Sequence, residues 1–388
     1  MGTIIELFDA EPLENIASHL LYPEDKPVYL GYPGTMTPGR IRNLRRFFRA
    51  RGCVWEPEFV EVDHCSLEDI TAKTEAVILR EKDCRFDLTG GSELVLVAMG
   101  LLSERHKVPM FQTDLNCGKS VCTCGAEPAC RRVSLPAEQL LMLHGGLLLS
   151  AGDRELPDTP ELRETVEGLW SLCRRDPRFL NRISNFFNRL GKYTRGLQVD
   201  APGLRVAPTV QTGLRRLAKA GYLRDLKITE KGLRFSYRDE ALRRMLGTAG
   251  LTLELMTRFA AMDCGAYQDV RQGVVLDWDG VVENRRDKAE TRNEVDGLLM
   301  QGITPYFLSC KAGDVKKEAL YELDVVAGRF GGAYARRALV CGALSGNRAS
   351  NDSIRRRAKD MGITLIENTH ELNIAGLGKK LAALACRR

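Results

Sequence analysis

Two carboxylates and a lysine stand close enough along the chain to serve one metal-assisted reaction. Asn293-Glu294-Val295-Asp296 is followed, after a turn at Gly302, by the apolar run Ile303–Leu308 and then by Ser309-Cys310-Lys311. If both stretches are strands, period-two alternation places Glu294 and Asp296 on one face of the first. It likewise puts Ser309 and Lys311 on one face of the second, with Cys310 turned into the core. Carboxylate oxygens are hard donors that suit Mg²⁺ or Mn²⁺, and such an ion lowers the pKa of bound water. A lysine beside them positions the nucleophile and neutralises charge developing on a phosphoryl group. That combination of groups hydrolyses phosphodiesters. Asp277 and Asp279 in Leu276-Asp277-Trp278-Asp279-Gly280 are further acids nearby, although an Asp-Gly turn explains Asp279 equally well.

A different chemistry is suggested by Phe86-Asp87-Leu88-Thr89-Gly90-Gly91-Ser92-Glu93. This reads as a strand ending in a Gly-Gly turn that opens a helix. Gly90 and Gly91 let a ligand approach backbone N–H groups at the helix N-terminus, where phosphates bind readily, and Thr89 and Ser92 add hydroxyl donors. The segment lacks both the GxGxxG fingerprint and the GxxxxGK[ST] loop, which argues against a dinucleotide cofactor and ordinary NTP hydrolysis. A plain tight turn would produce the same three residues, so the surrounding elements decide.

Those elements fall into three regions: residues 1–150, 151–246 and 247–388. The first alternates strand and helix: strands at Thr3–Phe8, Pro27–Tyr32, Val54–Val62, Cys84–Leu88 and Val108–Leu115, with helices at Pro12–Leu21, Pro38–Arg51, Leu67–Leu79 and Glu93–Glu104. Alternation of this kind implies βαβ units, a parallel sheet, and ligands beyond the strand C-termini. The second has helices at Pro160–Arg174, Arg178–Leu190 and Thr209–Ala220, a loose stretch from Gly196 to Pro208, and a hairpin Lys227–Tyr237 around Glu230-Lys231-Gly232. A helix followed by a two-stranded wing resembles a winged helix, here expected mainly as a linker. The third runs helix Leu251–Met262, strands Gln272–Trp278, Glu294–Met300 and Ile303–Ser309, helix Val315–Arg329, strand Ala338–Cys341, helix Ser350–Met361 and strand Ile363–Ile366.

The order of the third region resembles the PD-(D/E)xK nuclease fold. The resemblance implies Glu254 as the carboxylate of the first helix, Asp296 as the central metal ligand and Lys311 as the lysine. Ser309 departs from it, standing where many members carry an acid, and Glu294 is the residue that could restore the charge. Together with Lys317–Gly332, containing Ala319-Leu320-Tyr321 and Arg329-Phe330-Gly331-Gly332, these segments are similar to the nuclease half of the CRISPR ancillary nucleases. The Thr89-Gly90-Gly91 turn in its α/β setting resembles the CARF (CRISPR-associated Rossmann-fold) sensors. By position, Phe8-Asp9-Ala10 and Thr35-Met36-Thr37 would also line that pocket. The family resemblance implies a homodimer with one sensor domain per chain, switched by a cyclic oligoadenylate. The member it looks most like responds to cyclic tetra-adenylate. It further implies Mn²⁺ or Mg²⁺ held by Glu254, Glu294 and Asp296, and DNA or RNA as substrate. The rival is a ligand-regulated winged-helix transcription factor with a degenerate nuclease fold, which the missing acid at Ser309 keeps open.

Charge and composition fit these expectations. The net charge is +6, yet residues 151–245 carry 20 Lys and Arg against 12 Asp and Glu, a net +8, leaving about −2 for the rest of the chain. A basic middle region suits a polyanion, although solvated helix faces would give the same count. No apolar stretch reaches the roughly 20 residues of a membrane span, and no signal peptide is expected at Thr3–Phe8. The 12 cysteines, spread along 388 residues, suggest reduced thiols in a cytoplasm. Cys117, Cys122, Cys124 and Cys130 could bind zinc, but their spacing is not a common structural one and packing roles are the default.

Overall fold

The computed structural model describes residues 2–115, 119–131, 133–151, 156–278, 292–344 and 346–386; Asp279 and Cys117 lie outside them. The first sheet is built from β1 (Thr3–Leu7), α1 (Ala17–Leu21), β2 (Lys26–Gly31), α2 (Pro38–Ala50), β3 (Glu58–Glu61), α3 (Leu67–Arg80), β4 (Cys84–Asp87), α4 (Glu93–His106), β5 (Met110–Asp114) and β6 (Lys119–Cys124). Its order is β3-β2-β1-β4-β5-β6, with five parallel strands and β6 antiparallel at the edge. The chain reverses its winding between β1 and β4, so the loops after these strands border the crevice where such sheets bind ligands. Local sequence fixes the helix starts. Thr37 and Ser66 accept the backbone N–H groups of Arg40 and Asp69, capping α2 and α3. β3 is shorter than the expected Val54–Val62 because Pro57, just before it, has no N–H for a ladder.

Next come α5 (Ala137–Leu143) and β7 (Leu147–Ala151), then a middle module. The module comprises α6 (Pro160–Ser171), α7 (Phe179–Arg189), β8 (Thr194–Arg195), β9 (Gln198–Pro202), α8 (Pro208–Lys219), β10 (Leu223–Thr229), β11 (Gly232–Tyr237) and α9 (Glu240–Gly247). Its sheet, β10-β11-β9-β8, sets the β10–β11 hairpin beside α8. The stretch expected to be loose contains β9, whose Val199 and Ala201 point into the core while Gln198, Asp200 and Pro202 face out.

The third sheet follows from α10 (Leu251–Asp263), β12 (Asp269–Asp277), β13 (Arg292–Gln301), β14 (Thr304–Lys311), α11 (Lys317–Gly331), β15 (Arg336–Cys341), α12 (Arg348–Asp360), β16 (Ile363–Ile366) and α13 (Ile374–Ala385). Its order is β16-β15-β14-β13-β12-β7. β7, which straddles the expected boundary at residue 150, therefore belongs to this sheet, pairing antiparallel with β12. Gly302, at φ 61°, opens the two-residue turn between β13 and β14. α10 and α13 cover one face; α11 and α12 cover the other. The α11-side core is continuous with the first region, joining Phe8, Phe47 and Phe48 to Leu320, Phe330 and Leu339.

Alternation is interrupted in the middle of this sheet. On β12, Val270 packs on the α10 side whereas Val274 and Leu276 pack on the α11 side, and Gly273 between them has φ 57°. On the adjacent stretch of β13, Val295 and Leu298 both pack on the α11 side. The regular period assumed for Glu294 and Asp296 thus does not run unbroken through Gly297.

Candidate active site and ligand loop

Asp296 and Ser309 meet where the β13–β14 ladder ends. Asp296 Oδ2 accepts the Cys310 backbone N–H at 2.6 Å and the Ser309 hydroxyl at 3.3 Å, and Lys311 Nζ stands 3.7 Å from the same oxygen. A cavity of about 150 Å³ is lined by Glu294, Asp296, Ser309 and Lys311, closed on one side by Ala319, Glu322, Leu323 and Val326 of α11. Glu294, Asp296 and Lys311 are therefore together despite the broken alternation. Glu322 is an acid that the sequence reasoning missed. Its signal is helical spacing: 319, 322, 323 and 326 form one stripe on α11.

Glu254 does not line that cavity. It sits in the first turn of α10, buried, on the opposite side of the sheet from α11. It still acts on the same strand: the Cys310 thiol is driven well above its ordinary pKa by burial, then by the charges of Asp296 and Glu254. That thiol donates to Thr257 on α10 at 3.6 Å, so Cys310 is a core residue, as its position between Ser309 and Lys311 implied. Asp277 is buried near Arg329 and does not reach the cavity. Two carboxylates and a hydroxyl give an all-oxygen donor set, which fits Mg²⁺ or Mn²⁺ and not a soft metal. Cys124 and Cys130 are exposed; among the described residues the one group of three or more His, Cys, Asp or Glu with converging ligand atoms is the exposed run Asp63-His64-Cys65.

The glycine turn lies at the C-terminal end of β4, at the switch point. Thr89 is buried and ties the turn down. Its N–H and hydroxyl both donate to Asp87 Oδ1, at 2.8 and 2.5 Å, and its oxygen accepts the Thr113 N–H at 2.7 Å. Gly90 has φ 71° and Gly91 φ 121°. Ser92 caps α4 by position, and its buried hydroxyl has no hydrogen-bond partner among the described residues. Asp9 is alongside, since a Cβ on Gly90 would come within 3.4 Å of its Oδ2. Ala10 is exposed. Phe8 is not available: its ring is buried against Tyr29 and Phe59, and its N–H donates to the Leu30 carbonyl at 2.6 Å. Thr37 is occupied as a helix cap, and Thr35 donates to the Tyr32 carbonyl at 3.1 Å.

Sequence reasoning also missed the acids that guard this turn. The Glu14 carboxylate lies directly over Gly90, and it accepts the Tyr334 hydroxyl at 3.0 Å. Glu11 accepts the Ala333 N–H at 2.7 Å, and the 3₁₀ turn Gly332–Tyr334 can approach it because Gly332, at φ 56°, has no Cβ to strike that carboxylate. Burial raises the pKa of both acids. Arg329-Phe330-Gly331-Gly332 thus forms a joint. Arg329 donates to the carbonyls of His144 and Trp278, Phe330 packs edge-on to Trp278, and Gly331 leaves room for Phe307. The loop beside the glycine turn is bonded to the end of α11, which also walls the candidate active site.

Under this turn, burial raises the pKa of Asp87 to about 7, and its neighbour Glu6 is raised too, by burial and then by Asp87. A carboxyl with a raised folded-state pKa stabilises the fold most below its unfolded value and loses that contribution as pH rises through the folded value. Resistance to urea should therefore fall as pH climbs from about 4 to about 7, and Asp87→Asn should flatten that slope. An unchanged slope in the variant would remove Asp87 as its source.

No protein-family model and no curated protein matches the sequence. Solved structures do match. Protein VC1899 from Vibrio cholerae superposes with a TM-score of 0.72 at 17% identity, over 99% of this chain and 98% of its own. Can2 from Sulfobacillus thermosulfidooxidans, solved in complex with cyclic tetra-adenylate, gives 0.70 at 13% identity, over 99% and 97%. A type III CRISPR defence DNA nuclease activated by cyclic oligoadenylate gives 0.50 at 16% identity, with 89% of this chain covering 46% of that one. The chain shares the fold of VC1899 and Can2 over nearly its whole length, and the similarity to the CRISPR defence DNA nuclease covers 89% of it. Among the described residues, no helix is long and apolar enough to cross a membrane.

Proposed function

From this shared fold we propose that the chain is a cyclic-oligoadenylate-activated, metal-dependent nuclease of type III CRISPR defence, acting as a homodimer in the cytoplasm. The observation that carries the nuclease reading is the cavity in which Glu294, Asp296 and Lys311 converge at the end of one β-hairpin. Glu294 and Asp296 would hold Mn²⁺ or Mg²⁺, with Ser309 as a further oxygen donor and Glu254 acting from the α10 side. When bound there, the ion supplies an acidified water and neutralises phosphate charge. The Cys310 N–H and the Ser309 hydroxyl fix the Asp296 carboxylate in one orientation. Lys311 keeps its ammonium at the cavity, where it stabilises the pentacoordinate phosphorus of an in-line displacement. Cyclic tetra-adenylate is the activator this reading favours, with DNA, and RNA beside it, as substrates. Incubating the protein with Mn²⁺, cyclic tri-, tetra- or hexa-adenylate, and plasmid or RNA tests it. A transcription factor would shift the plasmid on a gel and leave it uncut.

Glu294 supplies the charge that Ser309 cannot. Glu294→Ala should lower the cleavage rate by well over fivefold, beyond ~1 kcal/mol of barrier. A smaller loss would transfer that role to Glu322 or Glu254. At the sensor, Glu14 occupies the space over Gly90 that a phosphate would need, so the activator must displace it. Tyr334→Phe removes one hydrogen bond holding Glu14 there. The activator concentration for half-maximal cleavage should fall about three- to tenfold, the scale of ~1 kcal/mol. An unchanged titration would mean that the Glu14–Tyr334 bond does not oppose binding.

A further inference from the structure

The middle module carries a cleft that neither the metal site nor the sensor uses. Residues 177–224 contain ten Lys and Arg and a single acid, Asp200, which is paired with Arg234 at 2.9 Å. Arg182, Arg189, Lys192 and Arg205 from this run line a cleft of about 470 Å³ between α7 and the segment leading into α8, together with the rings of Phe186 and Tyr193. No acid lines it. Arg182 is bonded to Asp176 and Lys192 lies over the Tyr193 ring, whereas Arg189 and Arg205 are exposed and have no ion pair among the described residues. Helical spacing puts Arg182, Phe186 and Arg189 on one face of α7. Both rings are only half-buried, so their faces remain partly open to the cleft.

The cleft is also connected to the candidate active site. Arg178, just before α7, stands 3.4 Å from Asp314, and Asn181 packs directly on Gly313, two residues beyond Lys311. From there α7 runs ~16 Å to Arg189 at 1.5 Å per residue. We propose that this cleft holds an unpaired nucleic-acid strand, its phosphates on Arg189 and Arg205 and its bases on Phe186 and Tyr193, and leads that strand along α7 to the Lys311 end of β14. Cations beside open aromatic rings are what a single strand recognises: the cations track the backbone, and the rings stack on bases that a duplex keeps paired. The inference rests on the nuclease reading for its purpose, and on the cleft alone for its chemistry.

Fluorescence anisotropy of the full-length protein in EDTA, with labelled oligothymidylate, oligouridylate and a DNA duplex, tests it without cleavage. Arg189→Ala/Arg205→Ala should weaken oligothymidylate binding at least about tenfold and flatten its log–log salt dependence by about 1.4, or 0.7 for each phosphate no longer held. The double Lys variant should retain most of the affinity. Tyr193→Leu should weaken both single strands about fivefold or more, the effect of losing ~1 kcal/mol of stacking, and leave the duplex unchanged. Circular dichroism reports folding. Unchanged single-strand binding in the folded double-Ala variant overturns the cleft, as does a loss shared equally by the duplex. If the variant keeps its affinity but elutes as a smaller species, the face is a contact between subunits and the proposal is overturned. Failure of the nuclease reading looks different: wild-type protein that cuts nothing under any activator, with the binding results standing.

Discussion

Asp296→Asn is expected to reduce cleavage by at least about a thousandfold, ~4 kcal/mol in barrier, while dimerisation and activator binding persist. The carboxylate sits at the centre of the candidate site, accepting from Cys310 and Ser309 and facing Lys311. An amide keeps an oxygen to accept the Cys310 N–H, so the end of the hairpin holds its geometry. What it loses is the negative charge that would bind a hard cation. Plasmid relaxation with Mn²⁺ and cyclic tetra-adenylate measures the rate, and calorimetric titration of the activator checks the sensor. Near-wild-type turnover would remove Asp296 from the metal site.

Gly90→Val is expected to disconnect the activator from cleavage, raising the half-activating concentration about ten- to a hundredfold. Two costs combine. Gly90 has φ 71°, a conformation that a β-branched residue adopts only with strain of ~1–3 kcal/mol. Its Cβ would also fill the space over the turn that Glu14 now occupies and that a phosphate would need. An activator shifts an equilibrium only through its differential affinity for the two states, so whatever weakens its grip on the active state weakens the switch equally. Titrating cyclic tetra-adenylate against plasmid cleavage, with circular dichroism to confirm folding, gives the answer. A folded variant that responds at the wild-type concentration would show that this loop is not where the activator acts.

Much of this could be read from the chain because the informative segments are local. The β13–Gly302–β14 hairpin declares itself by an apolar run around one turn glycine, and Ser66 marks the start of α3, whereas Thr37, expected in the ligand pocket, is taken up as the cap of α2. What escaped depends on partners far away in sequence. α13 is absent from the expected elements, which end at Ile366; its Gly376 and Gly378 weaken the helical signal, yet Gly378 is where the helix presses on α10, with the Ala260 carbonyl 3.2 Å from a would-be Cβ. β9 was hidden by the glycines and prolines at its ends. At the candidate sites the omissions have the same origin. Glu322 reaches the cavity from another element, and Glu14 gains its meaning only from Gly90 and Tyr334. Alternation at Asp296 fails because Gly273, across the sheet on β12, turns that strand over.

The placement of β7 bears on how the molecule must be made. Its residues are synthesised before the middle module, but its ladder partner on β12 follows after it, and Leu148 faces Leu276 only once the whole middle segment has emerged. Until then the lengthy stretch Asp269–Asp277 would present an open flank, rich in valine and leucine, of the kind that recruits other chains. A fragment beginning at α10 would carry that flank permanently, and it should aggregate where the intact chain stays dispersed. Evolution therefore cannot exchange the front and back of this protein as independent cassettes without also moving the five-residue strip Leu147–Ala151 that seals one to the other.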